Sequence, residues 1–417
     1  GGPGGGGSAL GLPLERLELG GQHSGQGIRP ERMVASSLGQ RLLAGVRELR
    51  LVCLTAGAGP ALHLQLPAMA GLEDLEVRHA ALATFQAESC PRLQHLAFDW
   101  ELCQDCLARF RLAAGPGLQS LEPPRPEPGR LVCFALEAPG LTGLLDLSGL
   151  EDVVAELLLR CPSPALQVAW PPRAVLRRVE RLDVHLAGGG PAGLNGASTT
   201  PSGGDALTLQ RFTGLRALAV RTGAATLELP EAAELRELRV EAPAVTALDL
   251  SEWTAFGELR ALELRGCAAL ASLRLPLSGE LHQVTVEVGR SLRELRLHVK
   301  AAEAMEFCAP ALRVLRLVGC KGLASEQVAA MLDGCPLLSE LTLCQCVDMA
   351  ELNLGGDSGG VLELASLDLG GLSRVNRLAA LRLTLPRLTS LVLPPTPFAV
   401  GAGLRHLVLT CPRLSWL

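Results

Sequence analysis

The sequence predicts an α/β solenoid: a horseshoe-like stack of parallel strands in which many coils carry a second strand and a few carry a convex helix. The first supporting observation is a recurring phrase, Leu-x-x-Leu-x-Leu, with Val or Phe sometimes standing for Leu. It spans 14–19, 46–51, 72–77 and 93–98, then 215–220, 235–240, 259–264, 292–297, 312–317, 338–343 and 404–409. The second is its spacing. From Leu235, alternate starts mostly recur at roughly 22–26 residues, with one longer step from Leu281 to Leu312. The third is a break in the coil that follows, from Leu312 to Leu338. Ala324–Asp333 reads as a helix, with Ser325 as N-cap and Val328, Ala329 and Leu332 on one apolar face. Self-similarity at a fixed period marks an array whose repeats contact only their neighbours.

Each element follows from side-chain direction. Along an extended segment successive side chains point to opposite faces. In the phrase from Leu235 to Val240, Leu238 and Val240 face one way, and Glu237 and Arg239 the other. One strand cannot bury its leucines alone. A copy laid beside it makes a parallel sheet and a continuous apolar core. One coil therefore holds two strands, one on each side. Starts at 235, 259, 281, 312, 338, 364, 388 and 414 form one set, and those at 245, 270, 292, 349, 378 and 404 the other. Convex helices are expected at 36–45, 102–112, 150–160 and 324–333. Phrase and period together match the leucine-rich repeat.

Residues 1–9 form a Gly-rich tail expected to be disordered, and 10–186 a first, less regular array. Residues 187–206 have no apolar periodicity and are rich in Gly, Ser, Thr and Pro, so they read as a disordered insertion loop. Residues 207–417 form the second array. The Pro-rich stretch 123–128 reads as a surface loop. The sequence starts on a Gly-rich run with no Met and no signal-peptide pattern, and is expected to be a piece of a longer protein.

Composition removes several classes of function. The chain is 48% hydrophobic, ample for a long core, and its net charge of −5 gives no general attraction to nucleic acid or anionic lipid. Aromatics make up 3% of residues with no Tyr, which leaves no platform for stacking bases. No apolar run is long enough to span a bilayer. Neither a nucleic-acid nor a membrane partner is expected, and a monomer is. Seven of the 13 cysteines keep step with the repeats. Cys267, Cys320 and Cys346 follow a Leu-x-Leu after two intervening residues, while Cys90, Cys161, Cys335 and Cys411 precede Pro. A small, buriable side chain suits a tight turn in a ladder. These positions and the odd total predict reduced thiols in an intracellular compartment, cytoplasmic or nuclear.

Several local patterns imitate chemistry. Gly356–Gly360 reads Gly-Asp-Ser-Gly-Gly, the surroundings of a serine-protease nucleophile. That chemistry needs a His base and an Asp orienter brought to Ser358, and the sequence has neither in the required phrase, so a Gly-rich turn is expected. Cys103 and Cys106 have metal-ligand spacing but no second pair in a neighbouring coil, and are expected to pack in the core. His63, His79 and His185 are lone strand histidines and receive no role. Gly20–Gly27 lacks the Lys-Ser or Lys-Thr of a phosphate loop. No catalytic, cofactor or metal residue is expected, and the chain is not expected to be an enzyme.

What remains is surface. The central residue of each Leu-x-Leu points away from the core. The expected partner-binding strip is Arg239, Glu263, Arg274, Arg296, Arg316, Thr342, Asp368 and Arg382. Its mixed signs favour a protein partner over a polyanion. Arg274 and Arg296 are expected to be neighbours, a small positive patch able to hold a carboxylate or phosphate.

The stretch Ala309–Gly334, followed by Cys335–Cys346, resembles the cysteine-containing repeats of F-box/leucine-rich-repeat proteins. The resemblance extends over roughly 10–417 and is strongest at 215–417. It implies an array that serves as substrate receptor of a cullin-based (SCF-type) ubiquitin ligase, docked to the ligase adaptor through an N-terminal F-box. The sequence departs from that pattern in one respect: it contains no F-box helices with their Leu-Pro start and Val-Cys-x-x-Trp close. The alternative is a protein-interaction scaffold of cytoskeletal, ciliary or signalling type with no ligase attached.

Overall fold

A computed structural model describes residues 15–20, 46–53, 62–79, 82–99, 107–122, 131–147, 155–169, 179–186, 206–209, 212–230, 232–251, 258–275, 281–346, 349, 351–355, 363–372, 378–393 and 406–415. The chain divides into two compact units, one of residues 1–174 with 191–199, the other of 175–190 with 200–417.

The first unit holds β1 (Arg16–Gly20), β2 (Glu48–Cys53), β3 (Leu62–Leu66), β4 (Asp74–His79), β5 (Leu82–Cys90), β6 (His95–Phe98), β7 (Arg109–Ala114), β8 (Cys133–Glu137), β9 (Gly143–Asp146), β10 (Glu156–Cys161) and β11 (Leu166–Ala169). They form the ladders β1-β2-β4-β6, β3-β5-β7-β8-β10 and β9-β11, all parallel. Over most of the unit successive strands alternate between ladders, so a coil places one strand on each side of the core. Like stacks on like: Leu17, Leu49, Leu75 and Leu96 are register partners in turn. So are Phe85, Phe110 and Phe134, whose rings stack at 5.4 and 5.3 Å, with Phe98 edge-on to the first two.

The second unit holds β12 (Arg181–Leu186), β13 (Ala206–Thr208), β14 (Ala217–Thr222), β15 (Thr226–Glu228), β16 (Glu237–Glu241), β17 (Ala247–Asp249), β18 (Ala261–Cys267), β19 (Ser272–Arg274), β20 (Gln283–Val288), β21 (Glu294–His298), β22 (Ala304–Cys308), β23 (Val314–Val318), α1 (Ser325–Asp333), β24 (Glu340–Cys344), β25 (Glu351–Leu354), β26 (Ser366–Asp368), β27 (Ala380–Leu383), β28 (Ser390–Val392) and β29 (His406–Leu409). One side is the ladder β12-β14-β16-β18-β20-β22, then α1, then β25-β27-β29. The other is β13-β15, β17-β19 and β21-β23-β24-β26-β28. The chain is thus a parallel-strand solenoid of leucine-rich-repeat type with very little helix.

The helix sits in the coil where the pattern breaks, packed against β22 and β25. Its start differs from expectation: the N-cap is Ala324, in extended conformation, and Ser325 is the first helical residue. The Gln327 side chain accepts from the Ala324 N–H at 2.9 Å and donates to the Ala302 carbonyl of the preceding coil at 2.9 Å. Ser325 turns outward. Its hydroxyl accepts from the Asn353 N–H at 2.9 Å and donates to the Asn353 carbonyl at 3.3 Å, tying the helix to the next coil.

Where two of the expected convex helices, 102–112 and 150–160, fall within the described residues, the chain forms strands instead. Over Arg109–Ala114 the buried Phe110, Leu112 and Ala114 alternate with outward Arg109 and Arg111. Over Glu156–Cys161 the buried Leu157, Leu159 and Cys161 alternate in the same way. A period of two matches the growing sheet, and the pairing it allows overrides the helical spacing of Leu102, Cys106 and Phe110. The helix expected at 36–45 lies outside the described residues.

The two sets of starts also change sides. Leu235, Leu259 and Leu281 lead into β16, β18 and β20, but Leu312, Leu338, Leu364 and Leu388 lead into strands of the opposite ladder. The slip comes from β22, whose core residues are Met305 and Phe307 and which shows no leucine phrase.

Coil corners demand close approach. A Cβ on Gly115 would lie 1.8 Å from the carbonyl oxygen of Pro91 in the coil below, so only glycine fits. No helix among the described residues is long and apolar enough to cross a membrane, a statement that does not bear on β-barrels.

Candidate functional site

The outward faces are the candidate site, and register decides what they present. Where charged residues meet on neighbouring coils they are mostly of opposite sign. Arg50 meets Glu76 at 3.3 Å, Arg239 meets Glu263 at 3.3 Å, and Arg221 is paired with Glu241. Glu263 also receives Arg265 at 2.6 Å, so β16 and β18 share a three-membered row. The arginine side chains are exposed and Glu76 and Glu263 half-buried, and each pair adds little stability. Their effect is to hold long side chains in order, giving a relief of alternating charge on a rigid backing.

The residues of the expected strip fall on four ladders. Arg239 and Glu263 lie together on β16 and β18. Arg274 lies on β19, in register with Asp249 of β17 and 3.5 Å from its carboxylate. The Asp249 carboxyl is held below the usual range by the Ser251 hydroxyl and backbone N–H, and further by Arg274. Arg296, Arg316, Thr342 and Asp368 occupy one row across β21, β23, β24 and β26. Arg382 lies on β27 in register with Asn353 and Val408. The register partner of Arg296 is Arg316; Arg274 is engaged with Asp249.

Within the Arg296–Asp368 row, Asp368 accepts from the Gly370 N–H at 2.8 Å and Thr342 is half-buried. One row over, His298 of β21 has its Nε2 buried without a hydrogen-bond partner. Burial, helped by the charge of Arg296, pushes its pKa down and favours the neutral ring.

The repeat cysteines belong to the scaffold. Cys267 lies 3.7 Å from the Val240 carbonyl and Cys411 3.7 Å from that of Leu383, each reaching back one coil. Burial pushes the thiols of Cys90, Cys161 and Cys335 up to about 11. Cys320 and Cys346, in register two residues past β23 and β24, are hydrogen-bonded to each other inside the core. Cys90, Cys161 and Cys335 are buried and held as neutral thiols. Among the described residues no group of three or more His, Cys, Asp or Glu is placed to hold a metal ion. Ser358, Cys103 and Cys106 lie outside the described residues.

Sequence reasoning missed a second arginine row. Arg293 and Arg313 directly follow Leu292 and Leu312, and both are exposed. The Arg313 N–H donates to the Arg293 carbonyl, so the two stack on adjacent coils. Their position in the phrase is the signal that could have found them.

The fold defines the class of protein, a parallel-strand solenoid of leucine-rich-repeat type. No family model matches the chain, and no curated protein does. A solved structure described as the crystal structure of a TLR13–ssRNA13 complex aligns at 12% identity with a TM-score of 0.19, covering 83% of this chain and 73% of that one. At that score the fold assignment rests on the chain's own strand ladders.

Proposed function

We propose that the chain is a protein-binding leucine-rich-repeat module and forms the substrate-recognition part of an SCF-type ubiquitin ligase receptor. The observation that carries the binding reading is the face spanning β16 to β18. There Arg239, Glu263 and Arg265 hold a fixed pattern of exposed charge above a fully buried row of Leu and Val. A regular, mixed-charge surface of this kind suits a folded or extended protein partner and ill suits a polyanion. The ligase reading rests on the resemblance of Ala309–Cys346 to the cysteine-containing repeats of F-box proteins. In that reading the array binds, and bond-making occurs on other subunits, so the chain itself is not an enzyme. Repeat thiols that reach back to backbone carbonyls, as Cys267 and Cys411 do, fit a reducing cytoplasmic or nuclear setting. A monomer is part of the proposal.

An affinity pull-down from cell extract with the full-length product tests it. Recovery of a cullin with its adaptor, lost when the region N-terminal to the repeats is deleted, is the expected result. Recovery of cytoskeletal, ciliary or signalling proteins without a cullin would overturn the ligase reading and leave a non-ligase scaffold.

A further inference from the structure

Among the described residues, in-register charges within each unit follow a rule of opposite sign, and two pairs break it: Glu48 with Asp74, and Arg296 with Arg316. The first is relieved, because Glu48 lies 3.5 Å from Arg16. The second is not. Neither Arg296 nor Arg316 has an ion-pair partner among the described residues, and both are exposed. Like charges directly opposite on neighbouring strands destabilise a sheet.

The adjoining row repeats the imbalance. On the opposite side of the unit, arginines at the same place in the phrase are matched by acids. Arg216 lies 3.2 Å from Glu180 and 3.1 Å from Glu234, and Arg236 lies 3.5 Å from Glu258. Glu234 and Glu258 immediately precede the leading Leu of their phrases. At the equivalent places for Arg293 and Arg313, before Leu312 and Leu338, stand Ala311 and Leu337, so neither arginine has such a carboxylate. Four exposed arginines thus stand on two adjacent coils, with Glu294 and Glu340 one row aside from the Arg296–Arg316 pair. A chain of net charge −5 concentrates positive charge here against the local cost.

We propose that Arg293, Arg296, Arg313 and Arg316 form a docking site for a phosphomonoester carried on a serine or threonine of a protein partner. Parallel strands stand about 4.8 Å apart, so two guanidinium groups on neighbouring coils can grip one tetrahedral anion. A phosphomonoester carries close to two negative charges and three acceptor oxygens, matching a like-charged pair that a single carboxylate half neutralises. Glu294 lies beside the Arg296–Arg316 pair, between it and Arg293, and Glu340 and Asp368 stand on the coils beyond, so one compact dianion fits where a nucleic-acid backbone would run onto acids. The site rests on the protein-binding reading above and names its partner's chemistry.

The test uses the full chain and fluorescence anisotropy of short random-sequence peptides with one fixed central phosphoserine. The same pool with serine or glutamate at that place is the comparison. The phosphoserine pool is expected to bind roughly ten-fold tighter than either. Arg296→Gln with Arg316→Gln should abolish that preference, and Arg236→Gln with Arg260→Gln should keep it. Arg316→Glu controls for folding, since it makes the in-register pair opposite in sign. It should melt no lower than the parent and lose the preference. A preference absent in the parent, or surviving in the double variant, overturns the proposal. So does equal binding of the glutamate pool, or a short single-stranded RNA that binds through the same arginines. A marked drop in melting temperature for Arg316→Glu removes the premise of an uncompensated pair. If the pools fail while pull-down partners are unchanged by the double variant, the phosphate site falls and the protein-binding reading stands.

Discussion

Leu315 and Arg316 are adjacent in sequence and opposite in consequence. Leu315 is completely buried between Leu295 and Leu341, its register partners. Arg316 is exposed beside another arginine. Leu315→Asp should unfold the coils around it, because the carboxylate meets no partner in the shared core. Arg316→Asp should leave the urea midpoint unchanged or raise it. Equal loss in both variants would contradict the facing assigned here. A second expectation concerns backbone approach. Gly115→Ala should cost roughly 1–3 kcal/mol in chemical denaturation, because the new methyl runs into the Pro91 carbonyl and the two coils must part. Facing was legible from the phrase, as the alternation at Leu238, Arg239 and Val240 shows. Which ladder a residue joins was not, since that depends on counting every strand between.

At the scale of elements, leucine phrases marked strands such as β16, β18, β21, β23 and β24. The strands that escaped are those with other cores. In β22 the inward pair is Met305 and Phe307, which fills the same space without the same letters. In β7 and β10 the apolar residues also fit a helical spacing, and only the neighbouring ladder chooses between the periods. The helix was placed correctly, but its first turn was not, because Ser325 serves the following coil and does not cap its own helix. Ser325→Ala removes that exposed acceptor from the Asn353 N–H, and should cost about 0.5–1.5 kcal/mol as measured by urea unfolding. Gln327→Ala, which removes the tie to Ala302, should act in the same direction.

For the whole molecule, the buried thiols make stability depend on alkaline pH. Cys90, Cys161 and Cys335 have an ordinary pKa of 9.0, and burial lifts it to about 11 in the folded chain. Above 9.0 the unfolded chain releases these protons while the folded chain retains them. Their contribution is therefore full below pH 9.0 and is lost progressively as pH rises towards about 11. Urea midpoints taken across that window should fall, and Cys→Ala at these sites should flatten the decline.

The helix α1 interrupts one side of the second unit while β21-β23-β24-β26-β28 runs on past it. Strands on the unbroken side are stitched by backbone hydrogen bonds from coil to coil. At α1 the strand ladder is interrupted, and that side is held by packing, by the side chains of Ser325 and Gln327, and by backbone hydrogen bonds flanking the helix, such as Ala309 N–H to the Gly334 carbonyl at 3.0 Å. Under tension along the stack that asymmetry makes a tear line. Drawn from its C-terminal end in an optical trap, the second unit would rip first at this seam, shedding the coils from β24 onward as one block before those preceding β22 give way.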